Sequence, residues 1–228
     1  YYNLISKKAS QKTKLIYSFG QNKNCDFRII TRENSVTKLM VIDKEFNFKN
    51  SQSSSNWEQN IIIILGLIRI LNIKIKNVTP SIMKLTPIEG RGKKFQITYK
   101  KKSFTLIDES YNSSPESLTK AIENLKNIKF NHNRKICVIG DMLELGKMSK
   151  SCHLEIVTNL LNTKPDIILT VGKYSYAIFE KLPENFLKFH FKNYKNVFDK
   201  LLSIIENDDI IMIKGSNSTN LHLVSKRL

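Results

Sequence analysis

Cysteine is scarce in this chain of 228 residues, and the three that are present, Cys25, Cys137 and Cys152, lie far apart. This spacing excludes a disulfide scaffold, and free thiols fit a reducing compartment such as the cytoplasm. Long apolar runs are missing too. The longest, Ile61 to Leu71, is interrupted by Arg69 and falls far short of the about 20 residues that a membrane span needs. We therefore expect no membrane span and a cytoplasmic location.

Other signatures are also absent. No signal peptide opens the chain, which begins Tyr1-Tyr2 without a methionine, so we expect a segment of something longer. No phosphate-binding loop ending in G-K-[ST] occurs, and His132 and His190 lack metal-ligand spacing. The sequence therefore predicts no metal site among its own residues.

The composition is that of a folded protein, with 41% hydrophobic and 25% charged residues, which excludes disorder over the whole chain. A net charge of +17 suggests nucleic-acid binding. However, the excess is spread over the whole chain, and Lys100–Lys102 is the one basic run. Because no nucleic-acid-binding motif accompanies the charge, a basic nucleic-acid-binding module is only the lesser alternative, and we expect no nucleic-acid partner.

Hydrophobic patterning divides the chain at a turn-rich hinge, residues 87–94. Before the hinge, the pattern predicts strands at 26–30 and 36–42, a helix at 57–71 and a short helix starting at Thr79. After it, residues 95–99 and 103–107 alternate as a hairpin. The predicted domains are 1–90 and 91–228.

Beyond the hairpin, short apolar runs alternate with helical segments. This alternation predicts an α/β fold, a Rossmann-like, doubly wound and mostly parallel sheet with helices on both faces. The strands are predicted at 136–139, 167–171, 186–189 and 210–213, and the helices at 115–126, 150–162, 174–182, 194–206 and 217–227.

Ligands of such sheets bind beyond the carboxyl ends of the strands. The segments at that edge are polar or contain glycine: Asp108–Pro115, Gly140–Gly146, Gly172–Lys173 and Lys214–Ser218. Each taken singly fits an ordinary turn or helix cap. Because all four fall on one edge of one sheet, we predict a binding site there.

Five motifs occur in a recognisable order: Asn56–Asn60 (NWEQN), Gly90–Arg91 (GR), Asp108–Pro115 (DESYNSSP), Gly140–Gly146 (GDMLELG) and Lys214–Ser216 (KGS). Together they resemble the Mur ligase family of peptidoglycan synthesis. The GDMLELG loop is similar to that of the member which acts on UDP-MurNAc-tripeptide and D-alanyl-D-alanine.

The resemblance implies that residues 1–90 end a P-loop-type central ATPase domain and that residues 91–228 form the C-terminal Rossmann-like domain. It also implies ATP and Mg²⁺ as cofactors, with the P-loop and the Mg²⁺ ligands in missing N-terminal and central segments. The implied reaction is amide formation through an acyl phosphate of the tripeptide, attacked by the amine of the dipeptide.

For the nucleotide, the resemblance implies Asn60 at adenine, Arg91 at the ATP phosphates, Asp108 or Glu109 at the ribose, and Tyr111 beside them. Two alternatives remain open. Arg91 could form a hinge salt bridge, and Asn60 could be a helix cap or a core-edge amide.

For the dipeptide, the resemblance implies Asn112, Asp141, Glu144, Lys214 and Ser216. Lys214 would offset the dipeptide carboxylate. The expected catalytic residues are Arg91, as a phosphate ligand, and Asn112, where nucleotide and dipeptide meet.

The chain also departs from the family pattern. Asn56 replaces a histidine, and Asn217 stands where arginine is frequent, which would weaken binding of the dipeptide carboxylate. His153 fits a histidine that is frequent at this place in the family, and the alternative is that it only caps or orients its helix. We expect the isolated chain to be inactive, and a non-catalytic remnant of a split or decaying ligase gene is the main alternative.

Overall fold

The computed structural model describes residues 2–33, 36–49, 55–128 and 133–228. The chain forms two compact units, Tyr1–Thr86 and Pro87–Leu228, and each has its own sheet. The three cysteines are free thiols. Within the described ranges, no helix is both long and apolar enough to cross a membrane.

The first unit is built on a four-stranded sheet of order β1-β2-β3-β4, in which β1 and β2 are parallel and the other pairs antiparallel. Its elements are α1 (Tyr2–Ser10), β1 (Phe19–Gly20), β2 (Phe27–Glu33), β3 (Val36–Val41), β4 (Lys44–Lys49), α2 (Ser55–Ile70) and α3 (Ile75–Met83).

Helix α2 packs on β2 and β3 because its apolar residues face the buried side of the sheet. Leu39 and Val41 alternate inward along β3 and meet Ile61 and Leu65 of α2. Glu58 is buried in this helix, pairs with Arg32 and accepts a hydrogen bond from the Thr37 hydroxyl at 2.6 Å. This buried carboxylate is therefore satisfied within the unit.

Helix α3 begins at Ile75, earlier than the predicted start at Thr79, and contains Pro80. The physical reason is the spacing of Ile75, Val78 and Ile82, which lie on one helical face and pack into the core of the first unit. The predicted helix start at Thr79 is wrong. It rests on Pro80, which favours the first turn of a helix, whereas the apolar residues at helical spacing already begin at Ile75.

The second unit contains a six-stranded sheet of order β5-β6-β10-β7-β8-β9. Its elements are β5 (Lys93–Tyr99), β6 (Lys102–Glu109), α4 (Pro115–Asn127), β7 (Lys135–Gly140), α5 (Ser149–Thr163), β8 (Ile167–Val171), α6 (Tyr176–Lys181), β9 (Leu187–Phe191), α7 (Val197–Ile204), β10 (Ile210–Lys214) and α8 (Leu221–Arg227). Short 3₁₀ turns occupy Gly146–Met148, Tyr194–Asn196 and Asn217–Thr219. The β5–β6 hairpin is antiparallel and the other pairings are parallel.

Both faces of this sheet are covered. Along β7, Cys137 and Ile139 join a core with α4, α5 and α6, whereas Ile136 and Val138 join a core with α7 and α8. Alternate residues of a strand point to opposite faces, so a fully apolar strand requires helices on both sides. The predicted doubly wound α/β fold is confirmed.

Candidate functional site

Strands β6, β10 and β7 are neighbours, and the loops that follow them are hydrogen-bonded together. The Ser216 amide donates to the Asp141 carbonyl at 3.0 Å, and the Leu143 amide donates to the Ser216 hydroxyl at 2.9 Å. The Lys214 ammonium donates to the Asn112 carbonyl at 2.9 Å. Three of the four predicted segments therefore form one surface, which we call the rim.

The fourth predicted segment, after β8, is attached to the rim through Asp141. One oxygen of the Asp141 carboxylate accepts the amides of Tyr174 at 3.0 Å and Ser175 at 2.7 Å. Gly172 has φ +119°, and a Cβ there would lie 2.4 Å from the Asp141 carboxyl carbon. Asp141 thus fixes the loop after β8 against the loop after β7.

The hinge is also bonded to the second unit. The Gly90 amide donates to the Asp108 carboxylate at 2.8 Å, and the Gly90 carbonyl accepts the Tyr111 amide at 3.1 Å. The Gly92 amide donates to the Asp108 carbonyl at 2.7 Å. For this reason the structure divides between Thr86 and Pro87, at the start of the predicted hinge rather than within it.

We expect Gly90→Ala to lower the free energy of unfolding of the second unit by about 1–3 kcal/mol. Gly90 has φ +75°, and a Cβ there would lie 2.8 Å from the Tyr111 Cβ and 2.9 Å from its amide nitrogen. The matched control is Gly146→Ala, with φ +53° and nothing within 4 Å, which adds backbone strain alone. Urea unfolding followed by circular dichroism measures both. If the free energy of unfolding falls equally in Gly90→Ala and Gly146→Ala, the close contact with Tyr111 does not destabilise the fold.

The exposed part of the rim is dominated by Arg91 and Tyr111. The Arg91 guanidinium carbon lies 4.2 Å from the centroid of the Tyr111 ring, and Tyr111 is 50% exposed. No carboxylate within the described ranges forms an ion pair with Arg91, so the alternative of a hinge salt bridge is not found there. Stacking holds the side chain and leaves the guanidinium donors available to a ligand.

Other predicted site residues also lie exposed. Asn112 and Glu144 face solvent on the rim. The Asn112 side-chain oxygen accepts the Ser113 amide at 2.8 Å, which leaves its NH₂ group for a ligand.

Asn60 lies on α2 in the first unit and is exposed. It is therefore neither a helix cap nor a core-edge amide, the two alternatives to a role at adenine.

The partly buried Glu109 and the buried Lys214 form an ion pair beneath the rim. Their charged atoms are 3.5 Å apart, and their side chains are 18% and 3% exposed. Burial raises the pKa of Glu109, and Lys214 and Arg91 oppose the rise. Burial lowers the pKa of Lys214, and Glu109 opposes the fall. The pair thus holds two charges in a site that disfavours both.

Four predicted ligand-binding residues are buried anchors in this structure. The Asp108 carboxylate accepts from Gly90 and from the Ser110 hydroxyl at 2.6 Å. Asp141 holds the loop after β8, and Ser216 holds Leu143. Lys214 donates to Asn112 and faces Glu109. Its expected role opposite a dipeptide carboxylate stays a prediction. Sequence reasoning included Ser110 in the motif DESYNSSP but gave it no role, and the structure shows it donating to Asp108.

No group of three or more His, Cys, Asp or Glu side chains among the described residues could hold a metal ion. His132 lies outside the described residues. The donor set of the rim, with one exposed guanidinium and isolated carboxylates, does not fit a bound Mg²⁺.

Comparison with known proteins identifies the family. Residues 94–217 match the family described as Mur ligase, glutamate ligase domain. The match spans more than half of the chain and contains β5 to β10 almost entirely. The chain belongs to the Mur ligase family.

The curated relatives indicate which member of the family the chain resembles. The chain is 29% identical over 210 residues to the UDP-N-acetylmuramoyl-tripeptide–D-alanyl-D-alanine ligase of Rickettsia prowazekii, covering 90% of this chain and 45% of that protein. It is 29% identical over 147 residues to the ligase of the same name from Bacillus subtilis, covering 63% and 32%. The chain thus spans under half the length of these relatives and corresponds to their C-terminal part.

Solved structures share the fold. The MurF ligase from Thermotoga maritima in complex with ADP aligns with a TM-score of 0.75 at 20% identity, over 91% of this chain and 47% of that one. A ligase from Acinetobacter baumannii aligns with a TM-score of 0.78 at 20% identity, over 100% and 48%. At this identity the likeness establishes the fold alone.

Proposed function

We propose that this chain is the C-terminal part of an ATP-dependent ligase that adds D-alanyl-D-alanine to UDP-MurNAc-tripeptide in the cytoplasm, for peptidoglycan precursor synthesis. The observation that carries the proposal is the Arg91–Tyr111 stack on the rim. It presents an exposed guanidinium at the carboxyl ends of the parallel strands, where ligands of this fold class bind. The names of the curated relatives supply the substrates.

We assign residues 1–90 to the end of the central ATP-binding domain and residues 91–228 to the C-terminal domain. The family match at 94–217 supports the second assignment because it falls inside the second unit. The coverage of 45% of the Rickettsia protein supports the first, since the alignment extends through the smaller unit.

The nucleotide would be held by the exposed residues. Arg91 offers paired N–H donors to phosphate oxygens, and Tyr111 offers a ring face. The resemblance assigns the adenine to Asn60. Asp108 and Glu109 both stay candidates for the ribose hydroxyls. Asp108 already accepts from Gly90 and Ser110, and Glu109 is 18% exposed and paired with Lys214. Bound ATP supplies the phosphoryl group that activates the tripeptide carboxylate. Mg²⁺ ligands are assigned to the missing segments, since the rim does not fit the ion.

The dipeptide would lie beside Asn112 and Glu144. The free NH₂ of Asn112 donates to a carbonyl or carboxylate oxygen, and the exposed Glu144 carboxylate accepts from the dipeptide ammonium. Lys214 acts through its bond to the Asn112 carbonyl and fixes the loop that carries this amide. Positioning the amine in this way supplies much of the rate enhancement of a two-substrate reaction.

The test is to join residues 1–228 to the N-terminal part of the Rickettsia prowazekii relative, in place of the part that this chain matches. We call this protein the joined ligase. We expect the joined ligase to form UDP-MurNAc-pentapeptide from UDP-MurNAc-tripeptide, D-alanyl-D-alanine and ATP, and the isolated chain to form none. Mass spectrometry of the product measures both.

The controls separate the alternatives. The N-terminal part of the relative alone should be inactive. Product from the isolated chain would contradict the assignment of the P-loop and the Mg²⁺ ligands to missing segments. A joined ligase that is folded and binds ATP, yet ligates nothing, would contradict the proposed function and favour the non-catalytic remnant.

A further inference from the structure

His153 is a buried imidazole for which the proposed reaction has no use. It lies in the first turns of α5 and is 0% exposed. Its Nδ1 lies 2.6 Å from the Ser149 carbonyl, and its Nε2 accepts the Met142 amide at 2.9 Å. A carbonyl only accepts and an amide only donates, so the ring is the neutral tautomer with hydrogen on Nδ1.

Met142 is the middle one of three consecutive residues that anchor the loop after β7. Asp141 is bonded to the loop after β8, and the Leu143 amide donates to Ser216 after β10. Each anchor thus comes from a different element. His153 is the one imidazole among them, and imidazole is the side chain whose charge ordinarily changes between pH 5 and 8.

Protonation of His153 is incompatible with this arrangement. A hydrogen on Nε2 would face the Met142 N–H, two donors with no acceptor between them. Burial lowers the pKa of His153, while the Ser149 carbonyl and the Asp141 carboxylate oppose the fall. The Tyr174 ring packs 5.9 Å from the imidazole. The core that α5 shares with α4 and α6 is formed by apolar side chains such as Ile122 and Ile178.

The direction of the pH dependence follows from the lowered pKa of His153. Since the folded-state pKa lies below the ordinary value of 6.5, the neutral ring and its bond to Met142 are present at neutral pH. They are lost as the pH falls through the folded-state pKa, because the anchored loop then has to release Met142 or unfold locally.

We propose that His153 is a positioning residue which, as a neutral imidazole, holds the loop Gly140–Gly146 in the form that binds the small zwitterionic dipeptide, so that acid releases the loop and weakens binding. The inference rests on the proposed function for the identity of the ligand. The loop carries Glu144, the exposed carboxylate assigned to the dipeptide ammonium, and this residue has φ +65°. Its strained backbone is held by the anchored residues that precede it.

The test compares the joined ligase with its His153→Gln variant between pH 7.5 and 5. The glutamine carbonyl can accept from Met142 but does not titrate. Calorimetry gives the Kd of D-alanyl-D-alanine without turnover. Below the pKa of His153 we expect this Kd to rise about tenfold per pH unit in the unsubstituted protein, following the fraction of neutral ring, and to stay constant in His153→Gln. The expected change in activity is in KM for the dipeptide, with kcat retained.

The matched control is His190→Gln on β9. Burial also lowers the pKa of His190, and the Asp141 carboxylate opposes the fall. Its Nδ1 lies 2.9 Å from the Thr170 hydroxyl, and no hydrogen bond among the described residues joins its ring to the loop. This variant should keep the pH dependence of the Kd. In the 228-residue chain alone, the NMR signal of the Met142 amide should titrate with pH, and His153→Gln should abolish that titration.

The outcomes of these experiments distinguish a wrong role for His153 from a wrong proposed function. An equal pH dependence of the Kd in both proteins, a Met142 amide that does not titrate, or no dipeptide binding at any pH would overturn the role of His153. A joined ligase that binds the dipeptide with the expected pH dependence but forms no product would overturn the proposed function and leave the positioning role supported.

Discussion

Replacing Arg91 with alanine in the joined ligase should lower turnover roughly 10²–10³-fold, the loss typical of removing one preorganised donor from a transition state. Arg91 lies over the Tyr111 ring and has no ion pair with another described residue. Its donors are therefore free to meet the charge that develops on a transferring phosphoryl group. A radiometric or mass-spectrometric assay at saturating substrates measures the turnover.

Two further variants show whether turnover depends on the charge of Arg91 or on the geometry of its donors. Arg91→Lys keeps the charge but loses the planar, paired donors, so we expect only partial recovery of turnover. The matched control is Arg227→Ala in α8, where another arginine lies over an aromatic ring, 3.9 Å from the Phe198 centroid, away from the rim. Arg227→Ala should retain turnover.

The stability of the variants decides between catalysis and hinge support. Arg91 is exposed, so Arg91→Ala should change the urea midpoint little. If turnover were retained while the midpoint fell, Arg91 would be a structural residue of the hinge, and the nucleotide phosphates would need another ligand.

The second unit was predictable because its signals are local and repeated. Buried strands such as β8 and β10 are short apolar runs bounded by polar turns, and α4 combines Pro115 with apolar residues at helical spacing. The first unit was predicted less completely. Strand β4 (Lys44–Lys49) and helix α1 were missed, since β4 has only two apolar residues, Phe46 and Phe48, and α1 has no buried residue.

The clustering of the candidate site residues was also predictable, whereas the contacts of each side chain were not. The rule that parallel strands end at one edge brings Asp108, Asp141 and Lys214 together from sequence alone. It does not reveal that Asp108 binds the Gly90 amide, or that Asp141 caps the loop after β8. Those bonds depend on backbone amides 18 and 34 residues away. Charged residues at a predicted rim can therefore be anchors as readily as ligands.

Replacing Lys214 with methionine should lower the free energy of unfolding of the second unit by about 3–5 kcal/mol at pH 8, because it leaves the Glu109 charge buried without its partner. The Asn112 carbonyl would lose its donor as well. Methionine keeps the volume and the apolar stem, so a cavity contributes little. Urea unfolding monitored by circular dichroism measures the loss.

The loss should depend on pH with a defined sign. In Lys214→Met the pKa of Glu109 is raised further, since burial acts without the lysine that opposes it. A carboxyl with a raised folded-state pKa stabilises the fold at low pH, and that contribution disappears as the pH rises through the folded-state pKa. The difference between Lys214→Met and the unsubstituted chain should therefore be small near pH 5 and widen toward pH 8.

The double variant Lys214→Met/Glu109→Gln tests whether the pair itself causes the effect. With both charges removed, no unpaired carboxylate is left in the protein. We therefore expect the double variant to be more stable at pH 8 than Lys214→Met. We also expect its loss of unfolding free energy, relative to the unsubstituted chain, to be independent of pH. A double variant as unstable as the sum of the two single variants would show that the 3.5 Å contact carries no coupling. Lys214 would then act through the Asn112 carbonyl alone, and its effect on turnover would arise from the position of that loop.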